Sequence, residues 1–286
     1  MFRKPVSEKM SNFLFLIPGA GFIFIFLSFA FILTILQSFG LFSLIGESRF
    51  TFKYWKIIFE QEFIDSFLFS LKIGIGSAFG TLLFSYPIAL FLRKKGFGKK
   101  TLGSLIKIPL FIPALVVAFL IVNLISFHGL LNTVLVALGV IKEPLRLLND
   151  QFGWGVLFIQ VWKNIPFQLL IISSSLAVIR DDLEDAAMNL GANKFQVIFR
   201  IIIPLSIPGI LVAVILVFIM TFGDFAITKI AGPVYPNSMS VRMLTEAMIF
   251  QEWNRAAVMG VIIMSTALIF VAFYSKIAKV IQENKL

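Results

Sequence analysis

The chain has no cysteine among its 286 residues. That excludes disulfide bonds, thiol catalysis and thiolate metal sites. A single histidine, His128, excludes a histidine-cluster metal site. Charge is scarce as well: 14% of residues are Asp, Glu, Lys or Arg, against about a quarter in a soluble domain. No G-x-x-x-x-G-K-[ST] string occurs. The nearest text, GFGKKT at 96–101, has the wrong spacing to cradle a phosphate and close a lysine onto it. No Ser/His/Asp or paired-carboxylate arrangement is readable, because His128 stands alone and the acids lie mainly in loops. The expectation is a chain that is not an enzyme, with no catalytic residue, no metal ligand and no cofactor of its own. Any uphill transport would draw its energy from a partner or an ion gradient.

What the chain does have is apolar length. Hydrophobic residues make up 59%, mean hydropathy is +0.96, and phenylalanine alone occurs 34 times. Runs of about 20 apolar residues recur, each long enough to cross a hydrocarbon core of about 30 Å. We read an all-α integral membrane protein of one domain, with six helical spans at 12–39, 64–92, 104–127, 153–179, 205–228 and 257–281. The first run, FLFLIPGAGFIFIFLSFAFILTIL, exceeds the length of a signal-peptide core and lacks a small-residue cleavage site.

The net charge of +10 would suit nucleic acid, but its distribution fits membrane orientation better. With the N-terminus inside, the cytoplasmic segments hold fifteen Lys and Arg residues: Arg3, Lys4, Lys9, Arg93, Lys94, Lys95, Lys99, Lys100, Lys107, Arg180, Lys194, Arg200, Lys276, Lys279 and Lys285. The outer loops 40–63, 128–152 and 229–256 hold eight. Both termini are therefore expected in the cytoplasm. RKKGFGKK at 93–100 is the strongest anchor, read as a stop-transfer and lipid-headgroup patch.

One stretch interrupts the oil: RDDLEDAAMNLGANKFQVIFRIIIPLSIPG at 180–209. Asp181 or Asp182 can cap a helix whose dipole favours acids at its start. Leu183, Ala186, Ala187 and Leu190 recur at helical spacing, and Gly191 is placed to end the helix in a left-handed conformation. FQVIFRIII then leads to Pro204, which resets the chain before the fifth span. The product is a short helix along the membrane surface. Interfacial helices usually carry Lys and Arg toward anionic lipid. This one opens with Asp181, Asp182, Glu184 and Asp185, which such lipid repels, so its small-residue face suits a protein partner better.

That stretch resembles the EAA loop of permease subunits of binding-protein-dependent type I ABC importers. The family pattern is E-A-A, three residues, Gly, nine residues, I-x-L-P. Here Asp185-Ala186-Ala187 is followed after three residues by Gly191, and nine residues later by Ile201, Ile202, Ile203 and Pro204. Asp185 replaces Glu, with Glu184 beside it, and Ile203 replaces Leu. The FLFLIPG start, the TFKYWKIIF element and the WKNIPFQLLIISSSLAVI run extend the resemblance over nearly the whole chain.

The resemblance implies the importer permease fold, with 180–204 as a cytoplasmic coupling helix and loop. Glu184, Asp185, Ala186, Ala187, Gly191, Ile201 and Pro204 would then couple to an ATPase groove. It implies two cytoplasmic ABC ATPase subunits that hold the ATP and Mg, a second permease, an extracellular substrate-binding protein, and a bacterial inner membrane. No nucleic acid is implied. The region FGDFAITKIAGPVYPNSMSVRMLTEAMIFQEWNRAAVMGVII looks most like the polyamine (spermidine/putrescine) group, which favours a paralogue as the second permease. Sugar, ferric-ion and organophosphonate groups resemble it next.

Ionisable residues inside spans are costly and mark functional candidates. Lys163, in VWKNIPF, lies near mid-membrane and either pairs structurally or lines the substrate pathway. Asp224, in TFGDFAI, either meets substrate or is a helix-end acid. Lys72 lies near an interface and is expected to snorkel. Trp162, Phe222, Phe225 and Phe167 could stack on a ligand or serve only packing. Pro109 and Pro113 are expected to bend the third span. A stand-alone secondary transporter or channel is the alternative these buried charges leave open.

Overall fold

The computed structural model describes residues 17–94 and 96–283. Arg3, Lys4, Lys9, Lys95, Lys285 and the first residues of the expected first span lie outside them. Among the described residues there is no strand. Six helical stretches among the described residues are long and apolar enough to cross a membrane: Gly19–Ser38, Gln61–Arg93, Ala114–Ala137, Trp154–Ala177, Lys194–Phe222 and Trp253–Ala278.

In chain order the helices are α1 (Phe22–Ser38), α2 (Gln61–Arg93), α3 (Lys99–Leu105), α4 (Ala114–Ile125), α5 (Leu130–Ala137), α6 (Trp154–Ala177), α7 (Asp181–Asn189), α8 (Ile203–Phe222), α9 (Ala226–Ala231), α10 (Met239–Met248) and α11 (Trp253–Glu283). They fall into two compact units, 1–59 with 243–262, and 60–242 with 263–286.

In the first unit, α1 is followed by a segment whose rings Phe39, Phe50, Phe52 and Trp55 meet stacked or edge-on at centroid distances of 5.2–5.9 Å. Asn254 fastens that segment: its amide donates to the Gln37 carbonyl at 2.8 Å, and Ser43 Oγ donates to its oxygen at 3.1 Å. Buried Glu246 pairs with Arg255 at 3.0 Å.

The second unit is built on α2, α6 and α8. Small residues let the helices approach: a Cβ at Gly76 or Gly80 of α2 would lie 2.9 or 2.8 Å from Leu157 or Val161 of α6. A buried polar seam runs between them. Ser85 Oγ donates to Gln168 Oε1 at 2.9 Å, Gln168 Nε2 donates to the Ala78 carbonyl at 3.3 Å, and Tyr86 and Ser206 share a hydrogen bond of 3.0 Å. In hydrocarbon such side-chain bonds satisfy groups that water cannot reach, and they set helix register.

Two spans differ from the sequence reading. Pro109 and Pro113 break the third span rather than bend it. Ile108–Phe111 is a 3₁₀ turn, Ile112 is extended, and α4 starts only after Pro113. The crossing stretch therefore shifts to 114–137, and Asn132, expected in an outer loop, is a buried helical residue. Its side chain pairs with both the carbonyl and the N–H of Leu145, each at 2.9 Å. The fifth span ends at Phe222, earlier than expected, because Gly223 closes α8 and a separate helix, α9, begins at Ala226.

Candidate functional site

The interruption at 180–204 folds as a short helix followed by two further helical turns that lead into α8. Arg180 is the extended residue before α7 and makes no side-chain cap. Asp181 and Asp182 are thus first-turn residues rather than caps, and they complement the helix dipole together with Glu184. Gly191 has φ +88°, with the Gly191 N–H donating to the Met188 carbonyl and the Ala192 N–H to the Ala187 carbonyl, both at 3.0 Å. This is a Schellman ending. Open space surrounds the position where a Cβ would sit, so conformation alone calls for glycine there.

The sequence N-K-F-Q then makes a capping box that the sequence reading passed over. Asn193 Oδ1 accepts from the Gln196 N–H at 2.9 Å, and Gln196 Oε1 accepts from the Asn193 N–H at 2.8 Å. A helical turn, Lys194–Val197, and a π-helical turn, Ile198–Ile202, carry the chain into α8, with Pro204 at its second residue. Val197 and Ile202 are buried among Leu169, Ile172 and Leu176, with Ala187, Ala192 and Ile198 packed against them. Ile201 and Pro204 are half-buried.

The two faces of α7 differ. Glu184 is 4% exposed and turns inward. There it meets Arg93, the last residue of α2, whose guanidinium also donates to the Ile179 carbonyl at 2.7 Å and contacts Asp181 at 3.4 Å. Lys94 adds a second contact to Glu184 at 3.0 Å. The Arg93 side chain is 8% exposed, so this is a buried ion pair with a forked donor, the geometry in which Arg outperforms Lys. Asp185, Ala186, Leu183, Met188 and Leu190 face outward, Leu190 at 90% exposure. The predicted apolar stripe is therefore divided: Ala187 packs inward, while Leu183, Ala186 and Leu190 are free. Sequence reasoning missed Arg93 and Lys94 because they sit in the RKKGFGKK run, where every cation looked equivalent.

The second set of candidates lies where α6 and α8 meet. Lys163 is half-buried and within electrostatic reach of Asp224. Asp224 Oδ2 accepts from the N–H groups of Ile227 and Thr228 at 2.9 and 3.3 Å and so caps α9. Its carbonyl accepts from Thr228 and Ser240 at 2.7 and 2.6 Å. Beside it, Asn164 Nδ2 donates to the Gln160 carbonyl at 2.8 Å and contacts Thr221 at 3.5 Å. Trp162, the preceding residue, is exposed. Phe222 is fully buried between Phe67 and Phe218, and Phe167 packs against the same cluster. The structure thus leaves Lys163 within electrostatic reach of Asp224 and places Phe222 in packing. Lys72 stands over the Phe69 and Phe152 rings at 5.1 and 4.4 Å, a cation–π setting.

Residues 81–282 match the family model for the binding-protein-dependent transport system inner membrane component. The spermidine/putrescine transport system permease protein PotB of Haemophilus influenzae is 29% identical over 195 residues, covering 67% of this chain and 68% of the relative. The molybdenum transport system permease protein ModB of the same organism is 30% identical over 166 residues, covering 56% and 69%. Among solved structures, a chain of the bacterial alginate ABC transporter, in complex with alginate pentasaccharide-bound periplasmic protein, aligns with a TM-score of 0.71 at 20% identity, over 94% of both chains. With that fold, six crossing stretches and a family match over most of its length, the chain belongs to the binding-protein-dependent transport system inner membrane components, as a multi-pass ABC-importer permease of the bacterial inner membrane.

Proposed function

We propose that this permease moves a small solute, delivered by an extracellular binding protein, through alternating access driven by two separate cytoplasmic ATPase subunits that bind the ATP and Mg. The observation that carries the reading is the two-faced helix α7: clamped to α2 on one side through Glu184 and Arg93, open on the other through Leu183, Ala186 and Leu190. A helix fixed at its back and apolar at its front can pass a push from a partner into the spans. In this reading α7 seats in an ATPase groove, Asp185 and Ala186 sit at that contact, and Gly191, Ile201 and Pro204 set its angle. Both termini then lie in the cytoplasm. Co-purification of the assembled complex tests it: Leu183→Asp/Leu190→Asp should lose the ATPase while the permease stays folded. Retention of the ATPase at the level of the unaltered chain would sink the reading. The competing secondary-transporter reading predicts solute flux through this chain alone in liposomes without nucleotide.

A polyamine is the favoured solute. The support is the likeness to PotB and an acid, Asp224, beside the α6–α8 junction. A second permease that is a paralogue of this one would complete the pore. Lys163 favours the opposite charge, and ModB is among the relatives, so an anionic solute is the second reading. Ligand binding by the partner binding protein separates them. Binding of spermidine and not of oxyanions supports the first; the reverse replaces it.

A further inference from the structure

We propose that the cavity between the end of α2, helix α3 and the end of α6 binds the headgroup of an anionic phospholipid. The cavity measures about 460 Å³, within the roughly 300–1,000 Å³ typical of small-ligand sites. Ala89, Leu92, Leu169 and Leu176 form apolar walls, while Lys99, Lys107, Ser104 and Ser173 supply polar rim groups. No Asp or Glu lines it. Arg93 also reaches the wall, but its guanidinium is engaged by Glu184, Asp181 and the Ile179 carbonyl.

The basic run at 93–100 therefore separates by task. Arg93 and Lys94 hold α7. Lys99 donates one N–H to the Phe91 carbonyl and stands 4.1 Å from the centre of the Phe91 ring, and an ammonium has two further N–H groups to offer. Lys107 is exposed and lines the same opening. Two ammonium groups and two hydroxyls around an opening with no acid favour a phosphate.

A soluble phosphate would satisfy the cations alone. The apolar surroundings point to a lipid: Phe91, Leu102, Leu105 and Leu170 are all exposed beside the opening, at the end of helices long enough to span a bilayer. Acyl chains can cover those side chains while the phosphate meets Lys99 and Lys107. Basic pockets between transmembrane helices commonly take anionic headgroups. The inference does not depend on which face of the membrane is cytoplasmic, on the ATPase partner or on the transported solute.

Native mass spectrometry of the purified full chain tests it, with phosphatidylglycerol or phosphatidylcholine added at equal concentration. The unaltered chain should retain phosphatidylglycerol preferentially. Each lysine near an anionic headgroup contributes about fivefold, so Lys99→Gln/Lys107→Gln should lower that retention by roughly 25-fold. Lys99→Arg/Lys107→Arg should keep the preference, and Lys142→Gln/Arg146→Gln, which removes the same charge elsewhere, should leave it unchanged. An unchanged preference in the Lys-to-Gln variant overturns the proposal, as does equal loss in the Lys142/Arg146 control. Displacement of the lipid by excess inorganic phosphate would assign the site to a free anion instead. A melting temperature for the Lys-to-Gln variant in phosphatidylcholine equal to that of the unaltered chain would tie the lost retention to the site and not to unfolding.

Discussion

Glu184 and Asp224 are both acids at helix ends, yet the fold handles them in opposite ways. Glu184 is buried and neutralised by charge: Arg93 and Lys94, both from the end of α2, meet its two oxygens. Asp224 is only half-buried and is held by backbone: two N–H groups of α9 point at one carboxylate oxygen. The first arrangement joins two elements distant in sequence, so it can transmit force between α7 and α2. The second is local, since donors and acceptor lie within four residues. It fixes the start of α9, with Lys163 near enough to exert an electrostatic influence on the carboxylate. An acid tied by a distant cation is a joint, and an acid tied by its own helix is a pivot for a neighbouring charge.

The sharpest way to break this comparison is Arg93→Ala. Removing one partner of a buried pair leaves an uncompensated charge and costs about 3–5 kcal/mol. Lys94 still reaches Glu184, so we expect the lower end, about 3 kcal/mol, as a lowered melting temperature of the full chain. Arg93→Ala/Glu184→Gln should recover more than half of that loss, because no charge is then left buried. No recovery would mean that the guanidinium matters only through the Ile179 carbonyl.

The opposite arrangement predicts a smaller effect. Asp224→Ala removes the acceptor for two amides and should cost about 1–2 kcal/mol, whereas Asp224→Asn, nearly as good a cap, should cost only a few tenths. If Asn is as damaging as Ala, the negative charge toward Lys163 is the stabilising element and the cap is incidental.

The same contrast explains which parts were legible in the sequence. Gly191, the acid-rich first turn and the apolar spans are local patterns, and local patterns were readable: composition, spacing and one glycine suffice. The end of α8 was not, because FGDFAI is apolar enough for hydropathy to run through it, and only the amides of Ile227 and Thr228 reveal Asp224 as the start of a new helix. The break in the third span was half-legible: Pro109 and Pro113 marked the place, but whether two prolines bend or interrupt a helix depends on what packs against the freed groups. Arg93 and Glu184 are 91 residues apart, and no spacing rule links them. Phe222 illustrates the limit on aromatic candidates, since among 34 phenylalanines only packing distinguishes a core ring from an exposed one.

Gly191→Ala tests the local half of the site at its other end. Nothing crowds the new methyl group, so the cost is that of a left-handed residue, about 1 kcal/mol. Melting of the full chain should register it, and Gly191→Asn should register less, because asparagine tolerates this conformation better. A loss well above that of Asp224→Ala would show that the Schellman ending also holds the capping box at Asn193 and Gln196 in place.

The smallest expected effect on the fold separates stability from function most cleanly. Leu190 is 90% exposed, so Leu190→Asp should change stability by less than about 0.5 kcal/mol, as surface substitutions do. A charge on the open face of α7 should still weaken any apolar contact made there. ATPase retention in the assembled complex should therefore fall while the melting temperature of the permease alone stays put. Arg93→Ala should do the reverse in the first instance, lowering the melting temperature while leaving the open face chemically intact. If both substitutions move both readouts together, the two faces of α7 are not separate devices, and the clamp and the docking surface are one element.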